Sequence, residues 1–198
     1  MSDDSITEAD LKLLATPDDE VIKASQQFCF DYEDFKARVV SGQRWQQLIQ
    51  CHLYFEHVID HLLRESLPNP DEISFGRMGF RQRLDLARAL DLLPAEIGTA
   101  IKCVAKLRNK VAHDLTFEIK DEDVTDLRNA VPKELIDFIL DEEGRASPAI
   151  SFYELLEVVL LKTEIIRQQH AASRVLARKS EIRLRTVLRK TPGAVYVP

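Results

Sequence analysis

With 198 residues, 45% of them apolar and 30% charged, and with only six glycines, the chain is long enough to bury one sizeable core. Its composition excludes a fibrous or disordered polymer and favours a helical globular protein. No run of apolar residues is long enough for a membrane span, and the opening MSDDSITEAD lacks the basic and apolar parts of a secretory signal, so a cytoplasmic protein without a membrane partner is expected.

The net charge of −6 is laid out unevenly. Residues 1–34 hold ten acids and two bases, and residues 115–145 ten acids and four bases. By contrast, residues 77–110 hold eight bases and three acids, and residues 167–190 eight bases and one acid. Basic segments on an acidic chain suit a polyanion or the acidic face of another subunit, and equally a solvated helix face. Cys29, Cys51 and Cys103 are few, odd in number and far apart, which gives neither a disulfide framework nor a zinc pattern, so buried free thiols are expected.

In chain order, residues 5–14 read as a short amphipathic helix opening at Ser5, with Glu8 in capping-box position. Residues 43–66 read as a long helix, because Trp45, Leu48, Cys51, Phe55, Val58, Ile59 and Leu62 recur at spacings of three and four. A turn of about 100° per residue places Tyr54, His57, His61 and Arg64 on the other side, while His52 falls among the apolar residues as a core histidine. His57 and His61 have the spacing of two metal ligands but lack the context of a hydrolytic zinc site, so neither metal nor cofactor is expected.

SLPNPDEISFG then breaks the pattern. Residues 80–92 give a second amphipathic helix, with Phe80, Leu84, Ala87 and Leu90 or Leu92 inward and Arg81, Arg83 and Arg88 toward solvent. Pro94 opens a third helix that runs through Ile97, Ile101, Val104, Leu107 and Val111. DLTFEIKDED alternates at Leu115, Phe117 and Ile119 and reads as a short extended segment or a plain connection. A helix over 121–141, carried by Val124, Leu127, Leu135, Phe138 and Ile139, is kinked or split at Pro132. Ser151 caps a final helix to about residue 190, apolar in its first half and basic in its second, and TPGAVYVP is an irregular tail.

KLRNKVAHD, at the end of the third helix, carries the chemistry. Arg108 lies about 20° from Ile97 in helical projection, inside the apolar stripe, with Asn109 and His113 together on a neighbouring face. A desolvated guanidinium costs several kcal/mol, so Arg108 must meet an acid, a phosphate or a water-filled cleft. Two structural alternatives stand beside a functional one: Arg108 pairs with a buried carboxylate while Asn109 and His113 cap the helix, or His113 pairs locally with Asp114.

LRNKVAH, residues 107–113, resembles the signature of the HEPN superfamily (higher eukaryotes and prokaryotes nucleotide-binding), in which an arginine, often followed by a polar residue, precedes a histidine by four to six residues. Arg108, Asn109 and His113 match it, and the order of long helix, loop, helix and motif helix fits. With FRQRLDLARALDLLP ahead of it, the stretch is also similar to the mannitol repressor family, which is linked to transcriptional control. The resemblance covers roughly residues 43–118 and implies an all-α, HEPN-like antiparallel bundle there; it does not reach the acidic N-terminal segment with its short helix over 1–42 or the residues after 118. Residues 119–198 would then be a helical extension ending in a basic helix packed on the core.

Many HEPN proteins are metal-independent ribonucleases, and the resemblance implies a toxin or defence enzyme that cleaves RNA by 2′-hydroxyl attack on the adjacent phosphate. Histidine titrates near neutral pH and suits proton transfer, so His113 would take that role. Arg108 presents a planar fork to phosphoryl oxygens, and Asn109 would orient either group. One motif per chain implies a homodimer with both motifs in one cleft. The alternative is a non-catalytic regulator or interaction module like the mannitol repressor family, with an antitoxin or other regulatory protein as partner. Arg174, Arg178, Lys179, Arg183, Arg185 and Arg189 are candidates for RNA binding through phosphates, since aromatic residues for base stacking are missing among them. A glycine-rich phosphate loop, a G-x-S-x-G elbow and a Cys-x-x-Cys pair are all missing, which removes nucleotide hydrolysis and serine-hydrolase chemistry.

Overall fold

The computed structural model describes residues 6–114, 116–142 and 150–190, with side chains to residue 140 in the second stretch and to residue 187 in the third. Among the described residues all regular structure is helical. The α-helices are α1 (Glu8–Ala15), α2 (Asp18–Ser25), α3 (Tyr32–Val39), α4 (Arg44–Ser66), α5 (Phe80–Ala89), α6 (Ala95–His113), α7 (Asp121–Ala130), α8 (Lys133–Glu142) and α9 (Phe152–Lys190). The chain divides into two compact units, one formed by Phe28–Arg167 and the other by Met1–Gln27 with Gln168–Pro198.

In the larger unit, α4 is the central rod. Leu48, Cys51, Phe55, Val58, Ile59, Leu62 and Leu63 are buried along it, and α3, α5 and α6 all pack on it. Trp45, expected inward, is instead 46% exposed and donates its indole N–H to Gln43 Oε1 at 2.7 Å. It lies in the first turn, before the helix enters the core. The aromatic run before α4 was not expected as helix. Phe30, Tyr32 and Phe35 pack edge-on or stacked with one another and with Tyr54, and α3 buries Phe35 and Val39.

The α5 helix ends in a Schellman turn: Leu92 N–H reaches Ala87 O, Asp91 N–H reaches Arg88 O, and Asp91 sits in the left-handed region at φ 55°. This reversal lays α6 back along α5, and Gly98 allows the close approach, since a Cβ there would stand 2.6 Å from Arg88 Cδ. Arg83, expected in solvent, is largely covered and binds Glu56 and Asp60 of α4. Residues 116–120 form a connection without strand, and Leu115 lies outside the described residues. Pro132 splits the expected 121–141 helix into α7 and α8, with Leu127 and Ile136 buried and Phe138 54% exposed.

A buried ion pair closes this unit. Glu164, fully buried, receives the Arg167 guanidinium at both oxygens (2.7 and 2.9 Å) together with the Cys29 backbone N–H and thiol. Arg167 Nη1 also donates to Glu65 Oε2 at 2.7 Å. Burial raises the Glu164 carboxyl, but the Arg167 and Cys29 donors more than offset it and hold it below the usual carboxylate range. Burial, then the Glu164 charge, pushes the Cys29 thiol up to about 12.

The smaller unit joins the acidic N-terminus to the basic part of α9. Thr7, not Ser5, caps α1, with Asp10 completing the capping box; Ser5 lies outside the described residues. Asp10 then receives Arg178 Nη2 at 2.9 Å. Lys179 is 1% exposed, its ammonium bound by Thr16 O and Asp18 Oδ1. Arg183 also reaches Asp18, at 3.5 Å.

Two outcomes follow from these pairs. Arg167→Met leaves Glu164 buried without its main partner and should cost about 3–5 kcal/mol in urea denaturation at neutral pH. The double variant with Glu164→Gln should recover part of that. Because the Glu164 carboxyl is depressed, the pair's contribution should be complete above the ordinary carboxylate range and fade as pH falls below it. In the smaller unit, the Arg178 hydrogen bond first, then Thr7, pulls Asp10 down from 3.8 to about 2. A carboxyl NMR titration should find that value, and Arg178→Ala should move it back up.

Candidate functional site

Helix α6 has two faces. Ile97, Ala100, Ile101, Val104 and Leu107 are buried, whereas Lys102, Ala105, Lys106, Arg108, Asn109, Lys110 and His113 line a cleft of about 1000 Å³ within the larger unit. Lys102, Lys106, Asn109 and His113 recur at spacings of four, three and four, which keeps them on one stripe. The opposite walls come from α4, through His52 and Glu56, and from α5 and its lead-in, through Met78, Gly79, Phe80, Arg81, Arg83 and Leu84. Six lysines and arginines face one carboxylate there, on a chain whose net charge is −6. Such a concentration favours an anion in the cleft.

The structure brings Arg108, Asn109 and His113 into this one cleft. Arg108 is half-buried and its side chain makes no ion pair or hydrogen bond with a described residue, so the pairing with a buried carboxylate is not realised. The residue lines the cleft instead. Asn109 and His113 are exposed, and no capping bond runs from either. Asp114 does not pair with His113; its Oδ1 accepts from the Thr116 backbone and hydroxyl at 2.9 and 2.7 Å. The neighbouring cations differ in how free they are. Arg83 is held by Glu56, Lys102 by Asp85 at 2.8 Å and Lys110 by Asp123 at 3.0 Å, whereas Lys106 has no partner among the described residues.

His52 is the residue that sequence reasoning assigned to the core alone. It is buried at 4% exposure, yet it lines the cleft. Its Nδ1 lies 3.2 Å from Glu56 Oε1, and its ring meets Phe80 edge-on at 4.6 Å. Burial is the main cause that lowers its titration to about 4; Arg108 and Arg83 lower it further, and Glu56 opposes them. The imidazole is therefore neutral at pH 7. Among the described residues, the buried polar side-chain atoms left without a partner are Ser66 Oγ and Arg83 Nε. Helical spacing put His52 beside apolar residues and could not show that Phe80 and Arg108, from two other helices, would surround it. The excess of bases over 77–110 was the legible signal for the remaining cleft cations.

The residues of α9 expected to bind RNA belong to the smaller unit, and none of them is among the residues that line the cleft. Lys179 is buried and engaged by Asp18, so it presents no charge to a polyanion. Arg178, Arg183 and Arg185 are paired with Asp10, Asp18 and Glu181 while remaining partly exposed, and Arg174 is exposed. The side chain of Arg189 lies outside the described residues. No group of three or more potential metal ligands converges among the described residues, and His57 Nε2 is taken up by Cys29 O at 2.8 Å. No helix among the described residues is long and apolar enough to cross a membrane. No protein-family model, curated protein or solved structure matches the chain.

The electrostatic link between the motif and the buried histidine is measurable. Imidazole NMR should place His52 near pH 4, and Arg108→Gln should raise that value by removing a neighbouring positive charge.

Proposed function

We propose that the protein is a metal-independent endoribonuclease of the HEPN type, with the cleft as its active site. The observation that carries the reading is the convergence of Arg108, Asn109 and His113 in one cation-rich cleft where Arg108 has no carboxylate partner. A phosphodiester supplies the negative charge that the cleft lacks. The Arg108 fork binds the non-bridging oxygens and stabilises the charge that accumulates on them during attack, Lys106 adds a second free cation, and Asn109 orients the phosphate or the imidazole. The 2′-hydroxyl attacks the adjacent phosphorus and the 5′-oxygen departs. His113, at the solvent-facing end of the motif, delivers the proton to that oxygen.

A twofold pairing of protomers belongs to the proposal, because one motif per chain is a sparse site and two motifs in register would double the cation density around one scissile bond. Phosphate binding by α9 is a smaller part of it, carried by the exposed Arg174, Arg178, Arg183 and Arg185 rather than by Lys179.

The test is cleavage of a labelled total-RNA pool in EDTA. Wild-type protein should cleave; His113→Ala should lose about 10²–10⁴-fold, and Arg108→Ala about 10²–10³-fold. Circular dichroism and light scattering should show the same fold and oligomeric state for all three. If the wild type leaves every RNA intact, the ribonuclease reading fails, and the mannitol repressor-like regulator takes its place.

A further inference from the structure

Cleavage of a phosphodiester by its own 2′-hydroxyl needs two proton transfers: one group takes the proton from O2′ and another gives one to the departing O5′. The motif supplies one histidine per chain. The same cleft in the same protomer holds a second, outside the motif, on α4.

We propose that His52, oriented by Glu56, is the general base of the cleft: its Nε2 accepts the 2′-hydroxyl proton while His113 protonates the leaving oxygen. The inference rests on the ribonuclease reading and adds to it a residue that the motif does not contain.

Geometry carries the assignment. Glu56 Oε1 stands 3.2 Å from His52 Nδ1 in an ion-pair contact, and a carboxylate opposite a lone pair would be repulsive, so the favoured tautomer carries its proton on Nδ1. That leaves the lone pair on Nε2, on a ring that lines the cleft. The carboxylate is itself held from behind, since Arg83 Nη2 donates to Glu56 Oε2 at 2.9 Å and reaches Asp60 at 3.5 Å through Nη1. The edge-on contact with Phe80 fixes the ring plane. Base, orienting carboxylate and supporting guanidinium thus come from α4 and α5, and the phosphate-binding Arg108 from α6.

The charged groups facing His52 are Glu56 from its own helix, Arg83 from α5 and Arg108 from α6. Burial and the two arginines outweigh Glu56 and keep the imidazole neutral, able to accept a proton across the physiological range. A phosphodiester bound to Arg108 cancels one of the two positive charges that weaken the base, so substrate binding makes His52 more basic. The step balances. The O2′ proton moves to Nε2, the O2′–P bond forms and the P–O5′ bond breaks with its electron pair on O5′. His113 in its protonated form supplies the proton to O5′, giving a 2′,3′-cyclic phosphate and a 5′-hydroxyl, and exchange with water resets both imidazoles.

The experiment is a single-turnover rate–pH profile on a mixed-sequence RNA oligonucleotide for wild type, His52→Gln, Glu56→Gln and His113→Ala. Affinity for the 2′-deoxy counterpart and unfolding temperature are measured in parallel. His52→Gln should lose about 100-fold or more in rate with 2′-deoxy binding unchanged. In Glu56→Gln the group that raises His52 is gone, so the acid limb of the profile should move to lower pH and the plateau should fall, as expected for a weaker base. Glu56 is partly exposed, so this variant carries the test even where His52→Gln does not fold. Wild-type rates in His52→Gln, or an acid limb that stays in place in Glu56→Gln, overturn the dyad while the ribonuclease reading stands on the loss in His113→Ala. A wild type that cleaves nothing overturns both.

Discussion

A cation on the apolar side of a helix cannot be left in a low-dielectric interior without an anion, a carbonyl or water beside it. Three side chains here meet that requirement in three ways. Arg167 is buried and is held by Glu164 and Glu65. Lys179, just as deeply covered, is held by Asp18 and the Thr16 carbonyl. Arg108 has no such partner and faces the cleft between α4, α5 and α6 instead. The first two solutions hold structure together, and the third leaves a charge available for something that is not part of the chain.

The cleft follows from how α5 and α6 meet α4. The left-handed Asp91 reverses the chain, Gly98 admits the Arg88 stem, and the ion pairs of Arg83 to Glu56 and Asp60 hold α5 on α4. The same Arg83 that fastens two helices also anchors the carboxylate beside His52. Structural support and site geometry are therefore one network, and rigid supporting contacts of this kind are what a preorganised catalytic group needs. In the smaller unit, the acidic helices α1 and α2 meet the basic part of α9, so much of that segment's positive charge is answered within the chain.

Long, periodic segments were legible: α4, α5 and α6 begin within a residue of where apolar spacing, Gly-Pro punctuation and the Pro94 start place them, and Ser151 does cap α9 by accepting from Glu154 N–H. The two-turn helices α2 and α3 were not. An eight-residue helix that buries only Val21, or only Phe35 and Val39, offers too few repeats for a period to emerge. The 167–190 charge run showed its composition but not its partners, because Asp10 and Asp18 lie more than 160 positions away in the chain.

By itself the sequence determined the all-helical class and the motif Arg108, Asn109 and His113 at the end of one helix, since helical periodicity and local punctuation are short-range properties. Only the tertiary structure decided that Arg108 faces a cleft rather than a carboxylate, that Lys179 is spent on Asp18, and that a histidine on an apolar stripe shares a cavity with the motif. Each of those depends on which side chains two or three distant segments bring within a few ångströms, and that information is carried by packing, not by spacing along the chain.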